Sequence, residues 1–129
     1  MIQGVDNIGI CARDVAKSVE FYQRLGFQKS FENERGCLVV AGTARLFVFR
    51  ATAKEAFSRR RGLDLEDNPP GLDHISFLVD DVDKTYREGK AKQVPFASEP
   101  ADQTWGARTV AVRDPDGNNL YFLKWLRTT

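Results

Sequence analysis

The chain has 129 residues, of which 42% are hydrophobic and 29% charged. That is enough for one compact domain with a packed core, and it excludes both a disordered chain and a membrane-spanning helix, since no apolar run approaches the roughly 20 residues a span requires. Nineteen basic against eighteen acidic side chains leave a net charge of +1, which excludes a global field for nucleic acid or membrane and points to small, local partners. Cys11 and Cys37 lie in separate apolar stretches with no neighbouring Cys, His or basic cluster, so both are expected as buried free thiols. Met1-Ile2-Gln3-Gly4 lacks the basic-then-apolar order of a signal sequence, and the expected location is the cytoplasm.

The first apolar run, Asn7 to Ala12, reads as a buried strand, and Asp14 behind it is placed to cap a helix. Val15, Val19, Tyr22 and Leu25 follow at helical spacing, and Gly26 supplies the left-handed residue that ends such a helix. Three strand-like segments come next, Gln28 to Glu32, Cys37 to Ala41 and Arg45 to Arg50. A polar connector then carries Arg59-Arg60-Arg61, Asp64, Glu66, Asp67 and Asn68-Pro69-Pro70-Gly71, with a short helix expected around Lys54 to Arg60. The triple arginine is read as a solvated basic turn rather than a phosphate grip.

The pattern then repeats. Gly4 to Val19 laid on Gly71 to Tyr86, an offset of 67 residues, brings Gly, Asp, Ile, Asp, Val and Lys into coincidence, and two units that cannot bury their faces alone can do so together. The second copy reads as a strand from His74 to Val79, a helix capped by Asp81, and strands at Val94 to Ser98, Arg108 to Arg113 and Asn119 to Trp125. Asp114-Pro115-Asp116-Gly117-Asn118 joins the last two as a hairpin, because Asp-Gly tolerates the positive φ of a tight turn. The expected architecture is α+β. A single domain is built of module one (1–52), a connector (53–70) and module two (71–129), each module running strand, helix, three strands.

VDNIGICARDVAKSVEFYQRLGF and WGARTVAVRDPDGNNLYF, together with the doubled βαβββ pattern, resemble the vicinal oxygen chelate superfamily of glyoxalase I, extradiol dioxygenases, and fosfomycin- and bleomycin-resistance proteins. The Trp-Gly-x-Arg stretch and Asp-Pro-Asp-Gly-Asn look closest to the bleomycin-resistance branch. The resemblance implies paired βαβββ modules whose curled mixed sheets form a cleft, in a homodimer with sites near the subunit interface. It also implies divalent-metal ligands: His, Gln or Glu on the first strand of each module and Glu on the last. His74 fits one of these positions, but Asn7 stands at its counterpart, and the carboxylate positions fall on Tyr121 and Phe47. A neutral amide is a poor transition-metal ligand, and a catalytic site normally takes three protein ligands, so neither a metal nor another cofactor is expected.

Tyr121 and Phe47 put aromatic faces where anionic ligands are usual, which favours flat apolar or cationic molecules. Trp105, in the turn Gln103-Thr104-Trp105-Gly106, is either an indole that closes over a ligand or a cover for the sheet edge. Arg108 is a candidate for a ligand carboxylate, against pairing with Asp114 or Asp116 across the hairpin, which is favoured. His74 is a candidate beside Asn7, against the alternative of a hydrogen-bonded core histidine. Phe49 is carried as a pocket aromatic, and Trp125 as core or interface. The assigned ligand-binding set is Asn7, Phe47, Phe49, His74, Trp105, Arg108 and Tyr121, with no catalytic residue. The expected function is metal-independent sequestration of an aromatic or cationic drug or metabolite. Two alternatives are a diverged glyoxalase- or dioxygenase-like enzyme using His74 and Tyr121, and a non-catalytic assembly module. The expected partners are a small organic ligand and a second copy of the chain.

Overall fold

The computed structural model describes residues 1–53, 62–63 and 68–126. The chain divides into two compact units, Met1–Glu55 and Ala56–Thr129. The connector helix expected around Lys54 to Arg60 and the Arg59-Arg60-Arg61 turn lie outside the described residues.

In the first unit the order is β1 (Ile8–Ala12), α1 (Val15–Arg24), β2 (Gln28–Glu32), β3 (Gly36–Ala41) and β4 (Ala44–Arg50). The sheet is mixed, in the order β1-β4-β3-β2, with β1 parallel to β4 and the remaining pairs antiparallel. Asp14 caps α1 by accepting the Lys17 N–H at 3.1 Å, and Gly26 takes φ +106° just beyond the C-cap Leu25. Helix α1 packs on β2, β3 and β4. Side chains alternate across a strand, so Ile10, Val39, Leu46 and Val48 are buried beneath the helix together with Val19 and Tyr22. Phe47 and Phe49 point to the other face, away from α1.

The second unit repeats the plan with β5 (His74–Leu78), α2 (Val82–Ala91), β6 (Ala101–Asp102), β7 (Ala107–Arg113) and β8 (Asn119–Trp125), in the sheet order β5-β8-β7-β6. Asp81 caps α2 through the Lys84 N–H at 3.0 Å. Helix α2 packs on β7 and β8, over buried Val110, Val112, Leu120 and Phe122. The hairpin turn is held by Asp114, whose carboxylate accepts the N–H groups of Asp116 and Asn118 and the Asn118 amide at 2.8–3.0 Å. Both units are therefore βαβββ modules, and the fold class is α+β with two mixed four-stranded sheets that are not closed.

Two expectations need correction. Val94 to Ser98 does not form the second module's second strand: only Phe96 bridges to Val112, and the strand lies at Ala101–Asp102. Pro95 has no N–H to donate, so the run cannot sustain a ladder. Cys11 is exposed, while Cys37 is buried as expected. Alternation along the edge strand β1 turns Ile10 and Ala12 into the core and Cys11 away from it. Burial raises the Cys37 thiol pKa, and the nearby Glu32 charge adds to the effect.

Candidate functional site

On the face of the first sheet away from α1, β4 contributes Phe47 and Phe49, whose rings stack at 6.0 Å between centroids. Gly9 lies opposite Phe47 and Cys11 opposite Phe49 on β1. A Cβ on Gly9 would stand 3.2 Å from the Phe49 ring, so glycine there leaves the ring its room. Asn7 precedes β1, is exposed, and donates its amide to Asp6 Oδ2 at 2.9 Å.

The face of the second sheet away from α2 carries His74, Ser76 and Leu78 from β5, and Asn119, Tyr121, Leu123 and Trp125 from β8. The pairing registers fix the equivalence of the two units. Gly9 and Ser76 are 67 residues apart, and Phe47 opposes the first as Tyr121 opposes the second. The His74 imidazole meets the Tyr121 ring edge-on, with centroids 4.9 Å apart. His74 Nδ1 lies 2.7 Å from Asp73 Oδ2, and the other Asp73 oxygen accepts the Asn68 amide at 2.9 Å. Tyr121 donates its hydroxyl to the Leu63 carbonyl at 3.0 Å, while Asn119 donates to the Gly62 carbonyl at 3.2 Å and accepts Arg113 Nε at 2.9 Å. A short strap at 62–63 is thus fastened to this end of the sheet by side chains of β8.

At the other end Trp105 and Trp125 meet edge-on at 5.4 Å, each 53% exposed. Four residues separate Trp125 from Tyr121, about 13 Å at a strand's rise per residue. Leu78, 75% exposed, pairs in register with Leu123 between them. The structure therefore joins His74 with Tyr121, Phe47 with Phe49, and Trp105 with Trp125, while Trp105 and His74 stand at opposite ends of one strip.

Arg108 belongs to the other face. It sends Nε and one terminal nitrogen to Asp83 on α2 at 2.8 and 2.9 Å, and the other terminal nitrogen to Asp102 on β6 at 2.9 Å. The expected pairing with Asp114 or Asp116 is corrected: Asp114 is turned into its own hairpin, and β-strand alternation sends Arg108 toward the helix. These bonds hold the guanidinium pKa above its ordinary value. The hydrogen bond from Arg108 is the main cause that holds the Asp83 carboxyl below the usual carboxylate range.

The residues at the four metal positions do not fit the divalent ion that the resemblance implies. They offer one imidazole, an amide that already donates to Asp6, a phenol that donates to a carbonyl, and a phenyl ring. Among the described residues no three His, Cys, Asp or Glu side chains gather around a common point. An open groove of about 550 Å³, lined by Leu78, Val79, Asp80, Asp81, Lys84, Thr85 and Glu88, lies where β5 runs into α2 and contains none of the candidate residues. Its wall is mostly charged, with Asp80, Asp81, Lys84 and Glu88.

The sequence reading missed Asp73, Asn68 and Asn119. Asn119 lies two residues before Tyr121, hence on the same face by the strand period, while Asp73 is simply the chain neighbour of His74. Asn68 gave no local signal.

The family model described as Glyoxalase/Bleomycin resistance protein/Dioxygenase superfamily matches residues 4–122. The uncharacterized protein YraH of Bacillus subtilis (strain 168) is 35% identical over 124 residues, which cover 92% of this chain and 96% of YraH. Among solved structures, SMU.1112c superposes with a TM-score of 0.76 at 25% identity, over 96% of this chain and 100% of the other. A lactoylglutathione lyase from Agrobacterium tumefaciens superposes with a TM-score of 0.69 at 20% identity, over 95% and 93%, a likeness of fold alone. No helix among the described residues is long and apolar enough to cross a membrane.

Proposed function

Since the chain belongs to the glyoxalase/bleomycin resistance protein/dioxygenase superfamily, and rings replace carboxylates on its last strands, we propose that it is a metal-independent binder of the bleomycin-resistance type. It sequesters a flat aromatic or cationic small molecule, drug or metabolite, and works as a homodimer in the cytoplasm. The observation that carries the proposal is the register: Phe47 opposes Gly9 and Tyr121 opposes Ser76, so aromatic faces occupy equivalent places in both modules. Such faces hold planar and cationic molecules by stacking and cation–π attraction, each worth about 0.5–2 kcal/mol. The strip from Tyr121 past Leu78 to Trp125 and Trp105 suits an elongated ligand of about 13 Å or more. Calorimetric titration of the protein with a panel of planar aromatic cations tests this. Saturable binding that Phe47→Ala and Tyr121→Ala both weaken supports it, and binding to none of the panel counts against it.

A second function has one observation in its favour. The Asp73–His74 contact is the arrangement by which a carboxylate orients an imidazole for proton transfer. In a diverged enzyme His74 Nε2 would take the substrate proton. Tyr121, at rest donating its hydroxyl to the Leu63 carbonyl, would be the acid partner beside it.

A further inference from the structure

The imidazole of His74 is the end of a chain of hydrogen bonds whose polarity is determined at every link. The Gly62 N–H donates to Asn68 Oδ1 at 2.9 Å, which fixes the orientation of the Asn68 amide, because a backbone N–H requires an acceptor. The Asn68 Nδ2 group therefore faces Asp73 and donates to Oδ1 at 2.9 Å. An ionised carboxylate accepts only, so Asp73 Oδ2, 2.7 Å from His74 Nδ1, requires the proton on Nδ1. In neutral imidazole the second nitrogen, Nε2, then carries a lone pair. Among the described residues Nε2 has no hydrogen-bond partner, and the ring stands edge-on beside Tyr121 on the face away from α2.

We propose that Asp73, held by Asn68, is a positioning residue that fixes His74 as its Nδ1–H tautomer and turns Nε2 into the hydrogen-bond acceptor of the Tyr121 end of the strip. The molecule bound there carries an N–H or O–H donor at the edge of its aromatic system. The ligand class rests on the binding function proposed above; the tautomer does not. Oriented imidazoles of this kind are set by the bond their other nitrogen makes, and free imidazole side chains favour the opposite tautomer, with the proton on Nε2.

The chain contains one histidine, so imidazole-nitrogen NMR of the full-length protein at alkaline pH reports His74 without ambiguity. The expected spectrum shows a protonated Nδ1 and an unprotonated Nε2 in the wild type, and a shift toward the Nε2–H tautomer in Asp73→Asn and Asn68→Ala. A wild-type Nε2–H tautomer overturns the proposal whatever the variants do. The ligand class is read separately with 2-phenylbenzimidazole and its 1-methyl derivative, which lacks the N–H. About tenfold tighter binding of the parent, lost in His74→Ala, supports a donor-bearing ligand. Equal affinity for the pair overturns that class and leaves the binding function standing. Binding of neither, with the Nδ1–H tautomer present, overturns the ligand class together with the binding function and leaves the positioning role of Asp73.

Discussion

The Tyr121 ring meets the His74 imidazole edge-on at 4.9 Å, while its hydroxyl donates to the Leu63 carbonyl at 3.0 Å. Ring and hydroxyl thus have separable duties. Tyr121→Phe keeps the aromatic face and removes the bond to the strap, so it is expected to cost about 0.5–1.5 kcal/mol of stability and to leave affinity for a planar cation nearly unchanged. Tyr121→Ala removes the face as well and is expected to weaken that affinity by about 1–2 kcal/mol. Denaturant unfolding and calorimetry on the same two variants separate the effects.

Arg108 ties α2 to β6 and β7, away from the strip. Arg108→Ala is expected to lower the unfolding midpoint and leave ligand affinity unchanged; loss of affinity at full stability would place Arg108 in the site after all. The same contact predicts a pH dependence. The carboxyl of Asp83 is lowered in the folded state, so its contribution is complete above the ordinary carboxylate range and is lost as pH falls below that range through the depressed folded value. Wild type and Arg108→Ala should therefore converge in stability at strongly acid pH, as unfolding curves recorded from neutral to acid pH will show.

Gly36 sits where β3 passes β4 so closely that an added Cβ would stand 2.1 Å from the Val48 carbonyl oxygen. Backbone cannot yield as a side chain does, and Gly36→Ala is expected to cost at least about 1–3 kcal/mol, as overpacking of a well-packed core does. Since β4 carries Phe47 and Phe49, the variant should also weaken binding at the first module, seen in melting temperature and titration together.

The chain's two tryptophans are the Trp105–Trp125 pair. Their fluorescence therefore reports only the far end of the strip. A ligand long enough to reach from Tyr121 is expected to quench it, and Trp105→Ala is expected to weaken that ligand but not a single-ring one. Equal weakening of both would place the binding elsewhere.

Much of the fold was legible because local signals agreed with one another. Asp14 and Asp81 cap their helices, Gly26 ends the first, and Asp114 to Asn118 turns the hairpin, each through chemistry contained within a few residues. The equivalence of Phe47 and Tyr121 comes from the family resemblance, and the strand registers agree with it, although the spacing of 74 differs from the repeat offset of 67. Readings failed where the deciding partner was remote or the burial was taken as two-sided. Arg108 finds Asp83 across 25 residues and on another element, which no spacing announces. The apolar run around Cys11 suggests burial on both faces, yet alternation turns only Ile10 and Ala12 of β1 into the core. Val94 to Ser98 has strand-like composition, but Pro95 has no N–H for the ladder that composition suggests. Asn68 and Asp73 were invisible as a site because their meaning lies in a chain of hydrogen bonds through the strap at Gly62.

The central claim is that rings, not a metal, do the binding. Its most direct test is calorimetric titration of chelator-treated protein with Ni²⁺, Zn²⁺, Mn²⁺ and anaerobic Fe²⁺, followed by planar aromatic cations. The account predicts no tight metal binding and saturable uptake of an aromatic cation that Phe47→Ala and Tyr121→Ala weaken. Tight binding of one metal ion per chain, abolished by His74→Ala, would contradict it and return the site to metal-dependent chemistry.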